Sequence, residues 1–222
     1  MRGRRLMTTK RIGIAALGVL GLLMSTMDPV TAQVRATDPP PGQMTMNVVS
    51  ANGNGCPRGT TTVVPNGDKT AFTVTYSNYT AQNGGGVARS LARAACVLTV
   101  DVGVPPGFTF GITRTTYRGY ADLQAGATGS LSTQYWFVGQ PVTGEIRRQY
   151  RGVLQDNWQA TDSVPIASIS WMPCRRTTYP LNIQSQLVVN AGSTHPGTTS
   201  LMTMDATDSE ITTIFNITWR AC

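Results

Sequence analysis

Few side chains in this chain could carry chemistry. The only histidine, His195, sits in a Gly/Ser/Thr/Pro loop just before Pro196. A Ser-His-Asp arrangement would have to use it, and no Gly-x-Ser-x-Gly elbow accompanies it. A glycosidase needs two carboxyl groups facing each other across a cleft. Glu145, Glu210 and the aspartates are available, but no pair of them stands out by position. Asp205, Asp208 and Glu210 crowd one turn, and Asp156 and Asp162 bracket Trp158; oxygen ligands in loops are what calcium takes. Neither run has EF-hand spacing, and Asp, Asn and Thr are ordinary turn residues, so Asp205, Asp208 and Glu210 are weak calcium candidates. No cofactor motif is present and none is expected. A further possibility is a binding surface. Tyr117, Tyr120, Trp136 and Trp158 lie among Asn, Gln, Asp and Arg, the combination that stacks on sugar rings and hydrogen-bonds their hydroxyls. Each ring could equally fill the core. Trp136 is the one whose strand parity opposes an apolar neighbour, Phe137.

The elements that must position these residues are strands. In Ile211–Cys222, Ile211, Phe215, Ile217 and Trp219 share one parity, while Thr212, Asn216, Thr218 and Arg220 share the other. That is a half-buried strand. The same alternation marks Phe72/Val74/Tyr76, Leu98/Val100/Val102, Leu131/Thr133/Tyr135/Phe137 and Leu181/Ile183/Leu187/Val189. Glu145 to Val153, with Arg147, Arg148 and Arg151, reads as an edge strand, because arginines discourage pairing with another molecule. Residues 87–95 are the only stretch with helical character. Residues 117–122 break the alternation, 156–162 read as a polar loop around Trp158, and 164–171 read as a strand. Pro/Gly/Asn/Asp clusters separate the runs. The expectation is an all-β, single-domain antiparallel β-sandwich, jelly-roll-like, of about ten strands.

The N-terminus reads as a secretory signal. Arg2, Arg4, Arg5, Lys10 and Arg11 precede an apolar stretch from Ile12 to Met24, then Pro29 and the small-x-small sequence Val30-Thr31-Ala32. Cleavage is placed after Ala32, giving a signal peptide at 1–32, a Pro-rich lead-in at 33–43 and the sandwich at 44–222. The apolar stretch is shorter than the roughly 20 residues of a spanning helix, which makes an uncleaved N-terminal anchor the lesser alternative, and no second segment could cross a membrane after cleavage. Without residues 1–32 the formal net charge falls from +7 to +3. Basicity so mild and so dispersed does not suit a nucleic-acid partner.

Cys56, Cys96, Cys174 and Cys222 all follow the signal, at spacings of 40, 78 and 48 residues that exclude zinc and redox CxxC motifs. An even count in an exported chain implies two disulfides. Three pairings are possible. Loop closure favours Cys56–Cys96 with Cys174–Cys222, at about 4 kcal/mol per loop in the chain-entropy treatment. Parity agrees: Cys96 shares the inward side of its strand, whereas Cys222 shares the polar side of the last one and faces a covering loop.

Several runs carry a family resemblance. Val49-Ser-Ala-Asn-Gly-Asn-Gly-Cys-Pro-Arg-Gly-Thr60 is similar to the opening signature of domain of unknown function 4360, found in secreted proteins of actinobacteria and fungi. Phe72-Thr-Val-Thr-Tyr76, Pro106-Gly-Phe108, Tyr117-Arg-Gly-Tyr120, Asp156-Asn-Trp158, Trp171-Met-Pro-Cys174 and Ser200-Leu-Met-Thr-Met-Asp205 follow in order, before the strand that closes on Cys222. The resemblance implies secretion and a disulfide-bonded β fold, and brings no catalytic residues. The reading from sequence is a secreted, extracellular protein that leans away from catalysis and binds a polysaccharide or cell-surface component. The alternatives are a hydrolase with a non-standard site and a structural envelope or coat protein.

Overall fold

The computed structural model describes residues 38–204 and 212–222, all within one compact unit, Val34–Cys222. The signal sequence and the first residues of the lead-in lie outside them. Twelve strands are described: β1 (Thr45–Asn52), β2 (Thr61–Pro65), β3 (Ala71–Tyr76), β4 (Thr80–Gly84), β5 (Arg93–Gly103), β6 (Phe108–Leu123), β7 (Thr128–Phe137), β8 (Thr143–Arg151), β9 (Leu154–Ser163), β10 (Thr178–Asn190), β11 (Thr199–Thr203) and β12 (Thr213–Ala221). They form two antiparallel sheets, so the chain is a β-sandwich. One sheet has the order β1-β5-β10-β7-β8. The other runs β2-β3-β12-β6-β11-β4, with β9 on the far edge of β6.

Alternation packs the sheets face to face. Leu98, Val100, Leu131, Phe137, Leu181, Ile183 and Leu187 point inward from the first sheet, and Phe72, Val74, Phe110, Ile112, Phe215 and Trp219 from the second. Phe215 stacks on Phe72 with centroids 4.7 Å apart, and Phe110 meets Phe137 edge-on at 5.4 Å, joining β6 to β7 across the interior. The Trp219 indole donates to the Lys69 carbonyl at 2.7 Å, so even this buried ring has a polar partner. Lys69 reaches back to the carbonyls of Pro40 and Gly42, strapping the lead-in to the β2–β3 turn.

Disulfides join Cys56 to Cys96 and Cys174 to Cys222. The first is buried, and the loop carrying it lies flush on β5. Gly53 has φ +132°, and a Cβ there would fall 2.0 Å from the Ala95 carbonyl oxygen. The second ties the end of β12 to the segment after Pro173.

Four local expectations fail. Residues 154–163 form strand β9 and not a loop, because backbone pairing with β6 from Leu154↔Leu123 to Ser163↔Arg114 does not depend on apolar side chains. Residues 164–171 hold a 3-10 turn, Ile166–Ser168, after Pro165, and reach a sheet only through a Trp171–Gly111 bridge. The helical stretch shrinks to a 3-10 turn at Arg89–Ala92, with β5 already begun at Arg93. Residues 117–122 do not interrupt a strand; they continue β6. In the β12–β6 pairing Asn216 faces Arg114 and Ile217 faces Ile112, leaving Thr113 as an extra residue. That bulge reverses the parity, so Phe110 and Ile112 point inward before it and Tyr117, Gly119, Ala121 and Leu123 after it.

Candidate functional site

The four aromatic candidates do not meet on one surface. Tyr117 is buried, edge-on to Phe215 at 6.0 Å, and burial pushes its phenol well above the ordinary tyrosine value. Trp158 is also buried. Its indole donates to the Tyr120 carbonyl at 3.1 Å and lies 5.6 Å from the Tyr150 ring. Its opposite number in the ladder is Gly119, where a Cβ would come within 2.3 Å of the indole; the missing side chain makes room for the ring. Neither Tyr117 nor Trp158 can therefore contact a ligand in this fold. Tyr120 is half-buried on the outer face of the seven-stranded sheet, beside Asn157. Trp136 is half-buried on the outer face of the five-stranded sheet, the opposite side of the sandwich.

The surroundings of Trp136 set it apart. On β7, the parity that buries Leu131, Thr133, Tyr135 and Phe137 turns Ser130, Ser132, Gln134 and Trp136 outward. Register then builds rows across the sheet. Trp136 lies opposite Asn182, which lies opposite Thr99. Gln134 lies between Gln184 of β10 and Glu145 of β8. Ser132 lies between Gln186 and Arg147. Adjacent members are hydrogen-bonded: Thr99 Oγ1 donates to Asn182 Oδ1 at 2.8 Å, and Gln134 Nε2 donates to Gln184 Oε1 at 2.9 Å. These bonds hold the amides at fixed positions while each keeps further donors and acceptors for a ligand. Arg147 donates through Nε to Glu145 Oε1 at 2.7 Å, and the pair is exposed.

Trp136 has no ladder partner on its β8 side. Strand β8 pairs with β7 only as far as Tyr135↔Thr143, where the extra residue Gly144 forms a bulge. Gly144 has φ +61°, and a Cβ there would lie 2.1 Å from the Tyr135 ring. Among the described residues no aromatic ring packs on Trp136. Further along β7 the small side chains Ser130 and Ser132 floor a shallow depression of about 480 Å³, walled by Gln186 on one side and Arg147 and Gln149 on the other. Six residues of strand, roughly 20 Å, separate Ser130 from Trp136. The outward side chains of β7 thus line up as a track, with an indole at one end, amides in the middle and a hydroxyl-lined depression at the other.

The other candidate chemistry is not assembled. The carboxylates on this face, Glu145 and Asp101, lie on strands three steps apart, at least about 14 Å; a glycosidase pair needs roughly 5–9.5 Å. His195 is exposed, its Nδ1 2.8 Å from the Pro196 carbonyl oxygen, and among the described residues no carboxylate pairs with it. Among the described residues no group of three or more metal-ligating side chains converges; Asp205, Asp208 and Glu210 lie outside those residues. Likewise, no helix among the described residues is long and apolar enough to cross a membrane.

Sequence parity exposed Trp136 but left Gln134, Asn182, Gln184, Gln186 and Thr99 unnamed as site residues. Their shared polarity was visible strand by strand. That β10 lies between β5 and β7, which merges three polar strips into one surface, was not.

The model of the family described as Domain of unknown function (DUF4360) matches residues 42–222. An uncharacterized secreted protein of Arthroderma benhamiae is 30% identical over 184 residues, which is 83% of this chain and 74% of that protein. The chain belongs to this family. Among solved structures, TmCBM61 in complex with β-1,4-galactotriose is 12% identical and aligns over 78% of this chain and 88% of its own, with a TM-score of 0.30. The family 11 carbohydrate-binding module of Clostridium thermocellum is 8% identical over 84% and 95%, with a TM-score of 0.20. Scores this low bear neither on the fold nor on a ligand.

Proposed function

We propose that this member of the DUF4360 family is a secreted, non-catalytic protein that holds an extended polysaccharide along β7, on the outer face of its five-stranded sheet. Residues 1–32 are its signal peptide, 33–43 its lead-in and 44–222 the binding domain. The carrying observation is Trp136, a half-buried indole on the outer face at the end of rows of hydrogen-bonded amides. A pyranose ring offers an apolar C–H face and a rim of hydroxyls. An indole stacks on the first, and amides that both donate and accept satisfy the second. A track along a sheet face suits a chain that continues beyond the site at both ends, where a small ligand would want a concave pocket. The secreted relative and the two disulfides, which persist in oxidising compartments, support an extracellular location.

A panel of soluble and insoluble polysaccharides, titrated with the wild type and with Trp136→Ala, tests the reading. The wild type binds at least one member, and Trp136→Ala weakens that binding about tenfold or more, as loss of a central aromatic anchor does. Failure of the wild type to bind any glycan would refute the proposal. Equal binding by both proteins would move the ligand to another surface.

A further inference from the structure

We infer that the Ser130–Ser132 end of the track receives an anionic substituent, so that the bound polymer is an acidic polysaccharide bearing carboxylates. This rests on the carbohydrate reading above and sharpens it. The row through Ser130 runs Arg93–Val188–Ser130–Gln149, and Arg151 faces outward opposite Thr128, one step along the floor. Arg93 and Arg151 are exposed and have no ion-pair partner among the described residues. Arg147 joins them at the wall of the depression with its charge matched by Glu145. Guanidinium groups thus bracket a hydroxyl-lined floor from both sides, spanning three strand separations, about 14 Å. The strand positions at the other end are Trp136, Gln134, Asn182 and Asp101, with no cation among them. Such polarity along one track fits a neutral ring face over the indole and carboxylates over the serines. Arginine suits the second task because its planar fork matches a carboxylate. An edge strand needs cations only to deter pairing. That need does not explain Arg93: β1 pairs with β5 only as far as Val97, and beyond it the Asn54 amide already caps the edge, donating to the Arg93 carbonyl and accepting from the Ala95 N–H.

The experiment compares polygalacturonate, alginate and hyaluronan with the same polymers after reduction of their carboxyl groups to alcohols, and with polyglutamate as a non-glycan polyanion. At least one uronate polymer binds about tenfold more tightly than its reduced form, and the preference shrinks as salt rises. The double variant Arg93→Gln, Arg151→Gln brings the ratio to within about twofold, whereas Arg114→Gln on the opposite sheet leaves it unchanged. Equal affinity for acidic and reduced forms would overturn the anionic site and leave the carbohydrate reading standing. So would binding confined to neutral members of the wider panel. Binding of polyglutamate as tight as that of the best uronate polymer would overturn both.

Discussion

Trp136 and Trp158 are the same residue type on two strands of one domain, and one lies on the outer face while the other is buried, a difference that stability can read. Trp158 is buried, lies over Gly119, meets Tyr150 and donates to the Tyr120 carbonyl at 3.1 Å. Truncating a buried tryptophan to alanine costs about 3–5 kcal/mol in transfer and cavity terms. The lost hydrogen bond adds about 1 kcal/mol. For a domain of this size each kcal/mol moves Tm by roughly 2–4 °C, so Trp158→Ala lowers Tm by about 8–24 °C. Trp158→Phe keeps most of the packing and loses the indole N–H, costing about 1–2 kcal/mol. Trp136→Ala removes a half-buried ring from the outer face, away from the core between the sheets, and changes stability by about 0.5 kcal/mol or less. The assay is urea unfolding at equilibrium with disulfides intact, with the denaturant slope checked for constancy across the set. Similar losses for Trp136→Ala and Trp158→Ala would refute the placement of the two rings and, with it, the outer face as the site.

Three further outcomes follow from the fold. Cys174→Ser with Cys222→Ser opens the 48-residue loop and lowers unfolding free energy by about 2–5 kcal/mol, read by the same denaturation. Gly119→Ala drives a methyl into the Trp158 indole and the Thr203 carbonyl, at 2.3 and 2.0 Å, and costs about 1–3 kcal/mol, visible as a lower Tm and a changed tryptophan emission spectrum. Burial raises the tyrosine pKa values in the core, Tyr76 to about 12 and Tyr79, Tyr117 and Tyr135 higher still. The unfolded chain releases these protons from about pH 10, so stability is full below that value and falls as pH rises through the folded-state values. Tyrosinate absorbance followed against pH should therefore rise together with loss of tertiary structure. A gradual titration with the fold intact would contradict the burial.

How far the sequence reveals the structure depends on what each strand must bury. Strands β5, β7, β10 and β12 bury one side and wet the other, so their alternation is plain in Leu98/Val100/Val102 and Phe215/Ile217/Trp219. Strand β9 buries little besides Trp158 and Ala160; its place comes from backbone pairing with β6, which leaves almost no trace in side-chain type. The apolar residues of 164–171 suggest a strand, but Pro165 diverts the chain and Ile166 remains 64% exposed. The extra residue Thr113, which no periodicity count could locate, is what turns Tyr117 inward and Tyr120 outward on β6. For the candidate site, parity set Trp136 on the face opposite Phe137, which is the outer face of its strand. Its amide neighbours needed the strand order, a long-range property of the folded sheet.

The most direct test is to follow the indole N–H resonances of the protein by NMR during titration with a glycan fragment from the binding panel. Trp158 and Trp219, whose indoles are hydrogen-bonded in the interior, serve as internal references. The Trp136 signal should move saturably with ligand while those two stay fixed. A titration in which Trp136 stays still and another indole moves would contradict the account.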